Sequence, residues 1–302
     1  MQDETMEVRS ERNAGARRRT VDVIIPTYKP DKKFSRLLRM LELQTYPIRR
    51  IIVMNTEKSY WNDKGYEGIK GLEVHHLTKA EFDHGRTRNQ GARYSRADIM
   101  VFMTDDAVPA DNRLIEQLMA AFDQRGPLGE SVIMAYARQL ADKDCGLAER
   151  YTRSFNYPDQ SRVKTRADLK ELGIKTFFAI RFKLRFIVLL EYMGSSFPSG
   201  ARVVHSRNYD CLALFHRNFD LAVSQADHPE LFSAVRSESE GIRLVKQTAR
   251  YLVKQRRPWL VPGLFVKSGF KYLGYRVGKC YRLMRRALVL RCTMNKEYWS
   301  RV

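Results

Sequence analysis

Two adjacent carboxylates, Asp105 and Asp106, follow the apolar run Ile99-Met100-Val101-Phe102-Met103 after a single threonine, Thr104. Carboxylates delivered by the end of a strand can hold a divalent metal, and such a metal neutralises the charge that builds on a departing diphosphate. An acidic pair in that place also closes turns, where Asp accepts from backbone N–H groups, so by itself the pair leaves both readings open. Arg86, Arg88 and Arg93 lie beside Gly85 and Gly91. Glycine permits close backbone approach and guanidinium pairs well with phosphate oxygens, although charges near a helix start often form only a solvated face. His205, in Val203-Val204-His205-Ser206-Arg207-Asn208-Tyr209, offers an imidazole that suits manganese and is tolerated beside magnesium, or else a histidine satisfied in a loop. His75, His76, His216 and His228 have no such context. Tyr60 and Trp61 either shape a pocket or pack.

These groups need elements to position them. Val21 to Ile25 is an apolar, β-branched run broken only by Asp22, and its exit through Pro26-Thr27 predicts a buried strand that delivers a loop. Lys33 to Gln44 predicts a helix with Phe34, Leu37, Leu38, Leu41 and Leu43 largely on one face. Ile48 to Met54 predicts a second strand ending at Asn55-Thr56-Glu57, Leu72 to Leu77 a third, and Ile99 to Met103 a fourth. A helix over Asn89 to Ser95, opened by the loop that carries Gly85, precedes the last of these. This order is that of a doubly wound α/β sheet with parallel strands, in which ligands bind outside the carboxyl ends, where Thr27, Asn55 and Asp106 fall. A helix over Asn112 to Gln124 and a strand over Ser131 to Gln139 follow. Phe177 to Tyr192 interleaves Arg181, Lys183 and Arg185 with apolar residues and fits a strand or an amphipathic helix equally.

The chain has 302 residues, 44% of them hydrophobic, enough for a sizeable core. Met1 to Thr20 is polar and charged, reads as a disordered tail, and lacks the apolar core of a signal peptide. Cys145, Cys211, Cys280 and Cys292 are too scattered for a zinc knuckle and read as reduced thiols of a cytosolic protein. Every long apolar run is interrupted by Arg, Lys or Glu, so no membrane span is expected. The net charge is +20, and Gly241 to Val302 holds sixteen Lys and Arg against the single acid Glu297. A basic surface of this kind attracts anionic lipid or nucleic acid. Within it, Trp259, Phe265, Phe270, Tyr272 and Tyr275 alternate with the charges, in helices expected to be split at Pro258 and Pro262.

Four segments carry a resemblance: Ile24 to Pro30, Asn55 to Glu57, His84 to Ala92 and Thr104 to Pro109 occur in the order and spacing of family 2 glycosyltransferases, and most resemble their bacterial rhamnosyltransferase branch. The resemblance covers Val21 to about Phe178 and resumes at Val203. It implies a GT-A fold, a doubly wound mixed sheet at residues 21–210 with a helical, basic appendage at residues 211–302. Pro26, Thr27 and Tyr28 would then bind the nucleotide's base or ribose, Asn55 and Glu57 would lie near the base, and Arg88 and Asn89 would contact the diphosphate. Asp106 would take the metal-ligand position of the family's Asp-x-Asp motif, whose first Asp is Thr104 here, with Asp105 in the motif's variable middle position as part of the nucleotide-sugar site. His205 would complete the metal or diphosphate site, and the cofactor would be Mg²⁺ or Mn²⁺.

The family's acidic base and its Gly-Gly-Phe element are missing, and between Glu171 and Asp210 the only acid is Glu191, which becomes the candidate base. Residues 181–202 depart from the family pattern as an internal deletion or altered segment would. The expectation is an inverting, metal-dependent transfer of a sugar, rhamnose from dTDP-rhamnose, to a polysaccharide or lipid-linked saccharide at the inner face of the cell membrane. The basic C-terminal region would meet the anionic membrane surface, and no nucleic-acid partner is expected. The alternative is a sugar-nucleotide-binding remnant without effective catalysis.

Overall fold

The computed structural model describes residues 18–165, 168, 193–205, 209–229 and 237–299. Glu191 and the ambiguous stretch from Phe177 to Tyr192 lie outside them. Contacts divide the chain into two compact units that part between Asp106 and Ala107.

In the first unit, β1 (Val21–Tyr28) is buried at every position except its last. Burial on both faces is what a central parallel strand requires. It pairs with β2 (Arg50–Thr56) on one side and β4 (Ile99–Phe102) on the other, and β3 (Leu72–Leu77) lies beyond β2. The order is β3-β2-β1-β4 and every pair is parallel, as the sequence predicts. Helix α1 (Lys32–Glu42) is opened by Asp31, whose carboxylate accepts from the N–H groups of Lys33 and Phe34. It buries Phe34, Leu37, Leu38 and Leu41. At roughly 1.5–3 kcal/mol for each such side chain, that face anchors an 11-residue helix too short to persist alone.

Helix α2 (His84–Tyr94) begins five residues before the expected Asn89. Asp83 supplies the reason, because its carboxylate accepts from Gly85 and Arg86 N–H while Thr87 Oγ1 accepts from Asp83 N–H. These bonds close the helix start. Burial pushes the Asp83 carboxyl up, but the Arg86 and Gly85 N–H groups outweigh it and hold it below the usual range. Gly91 is the contact with the sheet, since a Cβ there would stand 2.7 Å from Ile24 Cγ2 and 3.2 Å from Met54 Cγ.

The opposite, amino-terminal end of this sheet carries a buried charge. Asp22, whose side chain is 0% exposed, accepts from Arg49 Nε at 3.0 Å and Nη2 at 2.6 Å, from Arg50 Nη2 at 3.3 Å and from Ser95 Oγ at 2.8 Å. Arg50 also donates to Glu73 at 2.7 Å and to the Tyr94 carbonyl, and Glu73 meets His75, whose ring stacks on Tyr94 at 3.8 Å. Burial raises the Asp22 carboxyl, but hydrogen bonds from Arg49 and Ser95 and the charges of Arg49 and Arg50 outweigh it and leave it lowered.

In the second unit two three-stranded sheets form. One has the order β5 (Val108–Pro109), β10 (Arg202–Val204), β7 (Arg138–Leu140). The other has the order β6 (Ser131–Ala135), β9 (Met193–Phe197), β8 (Arg162–Lys164). The strand expected over Ser131 to Gln139 is therefore two strands. Tyr136 N–H still bonds to Ser196 O, whereas Arg138 N–H bonds to Ala201 O at 2.7 Å, so the chain changes sheets at Ala137. Helices α3 (Leu114–Ala121) and α4 (Leu147–Asn156) accompany these strands.

The C-terminal region holds α5 (Cys211–Asp227), α6 (Ser237–Lys254), α7 (Val261–Lys279), α8 (Arg286–Cys292) and α9 (Lys296–Trp299). Pro262 does not split a helix as expected; it lies in the first turn of α7, where its missing N–H costs nothing. The break is at Gln255 to Arg257, where Arg256 has φ +57° and Arg257 N–H returns to Leu252 O at 2.9 Å. Helix α7 crosses α5 at Gly274 and Gly278, where a Cβ would stand 2.2 Å from Phe215 O and 2.4 Å from Phe219 O. All four cysteines are free thiols.

Asp22→Asn removes the charge that two arginines face, and is expected to cost about 3 kcal/mol. A carboxyl lowered on folding stabilises above its unfolded pKa, and that contribution is lost as pH falls through the folded one. Urea melts should therefore show the full deficit at pH 7 and a smaller one at pH 3, where the pH has passed below the ordinary value of 3.8 toward the lowered folded one. Equal deficits at both would remove the ionic explanation. Gly278→Val should lower the melting temperature by more than an ordinary overpacking change of roughly 1–3 kcal/mol, because the clash is with backbone.

Candidate functional site

Parallel strands bring their carboxyl ends to one edge, and in the first unit that edge gathers most of the expected residues. Thr27 and Asn55 are register partners, as are Asn55 and His76. Thr27 is 2% exposed and its Oγ1 donates to Asp105 Oδ2 at 3.2 Å. Met103 N–H bonds to Ile24 O at 3.0 Å, so the segment after β4 stays joined to β1 until it delivers Asp105 and Asp106, both partly buried. Asp105 is thereby an orienting group at the end of β1, and Asp106 follows it at the unit's last residue. Pro26 is buried within β1 opposite Met54.

Asn55 is fully buried. Its Nδ2 donates to Glu57 O at 3.1 Å and to His76 Nδ1 at 3.0 Å. That donation assigns the His76 proton to Nε2, an assignment made from the hydrogen-bond network. Burial lowers the pKa of His76, and the charge of Lys58 lowers it further, so the ring is neutral at pH 7. Asn55 Oδ1 is a buried acceptor without a hydrogen-bond partner among the described residues. Buried polar atoms of this kind are rare, and they mark places where another group completes the bonding. His76 had no support in the sequence; its signal is its place in β3 directly opposite Asn55, which becomes visible only once strand register is known.

Glu57 and Lys29, the first residues beyond β2 and β1, have φ of +65° and +55°. Non-glycine residues held there store about 1–3 kcal/mol each, a cost that surrounding contacts must offset. For Glu57 the contacts are its N–H on Leu77 O at 2.8 Å and its Oε1, which accepts from Lys79 N–H. Tyr28 is half exposed and meets Tyr60 edge to face at 5.5 Å, with Lys29 Nζ 4.5 Å above the Tyr60 ring. Trp61 packs against Tyr66, Phe34 and His76. Packing is thus the role of Trp61, while Tyr60 borders the edge.

Arg88 and Asn89 both lie inside α2, Asn89 as expected and Arg88 one residue before the expected helix start. Arg88 is partly buried and donates to His84 O at 2.8 Å, Arg86 donates to Glu81 O at 2.7 Å, and Asn89 is exposed on the helix surface. Gly91 serves helix-to-sheet packing and not ligand approach.

In the second unit His205 follows β10, with its N–H on Leu140 O and its Nδ1 3.0 Å from Gln139 Oε1. Gln139 Oε1 also accepts from Arg153. An oxygen can only accept, so His205 Nδ1 is assigned as the donor, the arrangement in which a ligating imidazole uses its Nε2. The same unit has a cleft of about 240 Å³ lined by Asp111, Arg113, Gln117, Arg138, Gly200 and Arg202, among others. Arg138 and Arg202 are direct partners across the β7–β10 pair and are drawn apart, Arg202 to Asp111 at 2.6 Å and Arg138 to Tyr157 O at 3.1 Å. Among the described residues no group of three or more His, Cys, Asp or Glu side chains is arranged to hold a metal. No helix among them is long and apolar enough to cross a membrane.

Residues 22–185 match the family described as Glycosyl transferase family 2. The chain is 30% identical to the O-antigen chain rhamnosyltransferase RfbN of Salmonella typhimurium, covering 93% of this chain and 96% of that protein. It is 25% identical to the O-antigen chain rhamnosyltransferase WbaN of Salmonella anatum, with the same two coverages. Among solved structures it is similar to the mannosyltransferase PcManGT from Pyrobaculum calidifontis in complex with GDP-Man and Mn²⁺, at 14% identity and a TM-score of 0.46, covering 99% of this chain and 95% of that one. The chain belongs to glycosyl transferase family 2 and is a glycosyltransferase.

Proposed function

We propose that this enzyme transfers rhamnose from dTDP-rhamnose, with inversion, to a saccharide or lipid-linked saccharide of an O-antigen-like polysaccharide at the inner face of the cell membrane. The observation that carries the reading is the edge formed by Thr27, Asn55 and Asp105. There Thr27 is bonded to Asp105, Asn55 is bonded to His76, and Asn55 Oδ1 is kept as a buried acceptor. A thymine or uracil ring carries one N–H donor that suits such an acceptor. Tyr28 and Tyr60 offer ring faces beside it, and Glu57 an acidic group for base or ribose. Arg88 and Asn89, on the outer part of α2, would reach the diphosphate. The two rhamnosyltransferase relatives support the choice of sugar.

The residues present fit a divalent cation that takes most of its ligands from diphosphate oxygens, as Mg²⁺ commonly does, since Asp106 brings a partly buried carboxylate to the carboxyl end of the sheet. Asp106 is its protein ligand in this proposal. When bound, Mg²⁺ or Mn²⁺ supplies positive charge that stabilises the departing diphosphate. Glu191 is proposed as the group that takes the proton of the attacking hydroxyl.

A second reading, a sugar-nucleotide-binding protein without turnover, is favoured by one observation. The match to the first relative runs over 312 aligned positions, more than the 302 residues of this chain, so some of the relative's positions have no counterpart here. Family pattern is lost around residues 181–202, the same region that holds the lone acid Glu191.

Purified enzyme is expected to release dTDP from dTDP-rhamnose when acceptor and Mg²⁺ or Mn²⁺ are present, and to stop on chelation. Asp106→Asn should lower the rate about 100-fold or more. Donor binding by calorimetry without release, across a panel of donors, would favour the second reading, as would Glu191→Gln leaving a slow rate unchanged. His76→Ala is expected to weaken donor binding by about 1 kcal/mol, a factor of about 5, with kcat preserved, because Asn55 loses one of its two anchors. Because His76 is neutral, wild-type donor affinity should stay flat from pH 8 down to 6.5 and fall only below that ordinary histidine value. A titration centred at or above pH 6.5 in wild type and absent from His76→Ala would contradict the lowered basicity of His76.

A further inference from the structure

The turn between α6 and α7, with the outward side of α7, forms a basic and aromatic surface. Every residue from Val253 to Leu260 is exposed, and Pro262, Gly263, Phe265, Val266 and Lys267 continue the run. Trp259 is 62% exposed, Phe265 56% and Leu273 53%. On a helix of 3.6 residues per turn, Pro262, Phe265, Val266, Gly269 and Leu273 share one side of α7, roughly opposite Gly274 and Gly278, which touch α5. Lys254, Arg256 and Arg257 in the turn and Arg276 and Lys279 on α7 flank that side, and no acidic residue occurs between Glu240 and Glu297. Arg257 lies 5.3 Å over the Trp259 ring, and Arg276 6.0 Å over Tyr272. The Arg257 N–H bond to Leu252 O fixes the turn that presents Trp259.

We infer that this surface docks on an anionic lipid bilayer, with Trp259, Phe265 and Leu273 entering the headgroup–acyl boundary and the Lys and Arg residues meeting lipid phosphates. An apolar face of this size needs a cover, and three features choose the cover. The basic rim is complementary to a negative surface. A second copy docked face to face would bring the same cations against one another. The aliphatic members, Val266 and Leu273, have no aromatic ring to stack on nucleic-acid bases, whereas they partition readily into lipid. Since α7 is not long and apolar enough to span, it lies in the interface plane. The inference names the surface that would bring the proposed enzyme to a lipid-linked acceptor; it rests on that reading for its purpose and on the second unit for its geometry.

The test uses the full chain in co-sedimentation with vesicles of phosphatidylethanolamine and phosphatidylglycerol, beside vesicles of phosphatidylcholine alone. Binding to the anionic vesicles should exceed binding to the neutral ones at least tenfold and fall in 0.5 M salt. Phe265→Ser with Leu273→Ser should lower anionic-vesicle binding tenfold or more. Lys254→Gln, Arg256→Gln and Arg257→Gln together should reduce it toward the phosphatidylcholine level. All these positions are exposed, and an unchanged circular dichroism spectrum and melting temperature confirm that the variants fold. Wild type that stays in the supernatant, variants that pellet like wild type, or a concentration-dependent dimer lost in the same variants would each overturn the inference. Vesicle binding without any nucleotide-sugar binding would overturn the functional reading and leave this surface standing.

Discussion

A carboxylate with no access to water must be neutralised where it stands, and Asp22 is in that position at the start of the central strand. Its partners come from the β2 side, Arg49 and Arg50, and from the end of α2, Ser95. Arg50 then carries the connection to Glu73 on β3 and to the Tyr94 carbonyl. A slip of β1 by one residue would turn Asp22 to the other face of the sheet and leave two arginines facing apolar neighbours. One ionic cluster therefore holds three strands and a helix in a single register. Burying a charge rarely adds net stability over a hydrophobic alternative, so its effect here is in specifying one alignment among several.

Register fixed at one end of a parallel sheet is register fixed at the other. With Asp22 opposite Arg50, Thr27 must fall opposite Asn55, and Asn55 opposite His76. Each of these side chains is held by a neighbour on the next strand or on the loop that follows it, and the backbone turns sharply at Lys29 and Glu57 just beyond. The site edge is thus preorganised by an interaction at the far end of the strands. A preorganised polar edge is what recognition of a charged, polar ligand requires, because little reorganisation then remains when it binds.

The strands of the first unit and the chemistry at their ends were legible in the sequence because apolar, β-branched runs end abruptly in Thr27, Asn55 and Asp106. Helix α2 was legible only in part. Its first two turns, His84 to Asn89, are polar and show no amphipathic face, and what starts the helix is a cap, Asp83, that sequence periodicity does not report. His76 was missed since its role depends on a partner twenty-one residues earlier in the chain, a relation created by strand pairing. The change of sheet at Ala137 was hidden inside a run, Ser131 to Gln139, with no glycine or proline to mark a break. Pro262 was misread because proline interrupts a helix interior but suits a first turn, and the sequence alone does not say which turn it is in.

The two glycines of α7 have a consequence beyond their contact with α5. They leave backbone against backbone, with Phe215 and Phe219 carbonyls filling the space of the missing side chains. Such a joint has one rotational phase: turning α7 about its axis would drive Tyr275 or Val277 into the place of glycine. The outward residues are therefore not free to choose their direction. Adding or removing one residue between Phe265 and Gly274 would swing the aromatic side by about 100° while leaving the joint intact. Length, more than composition, is what this stretch must conserve.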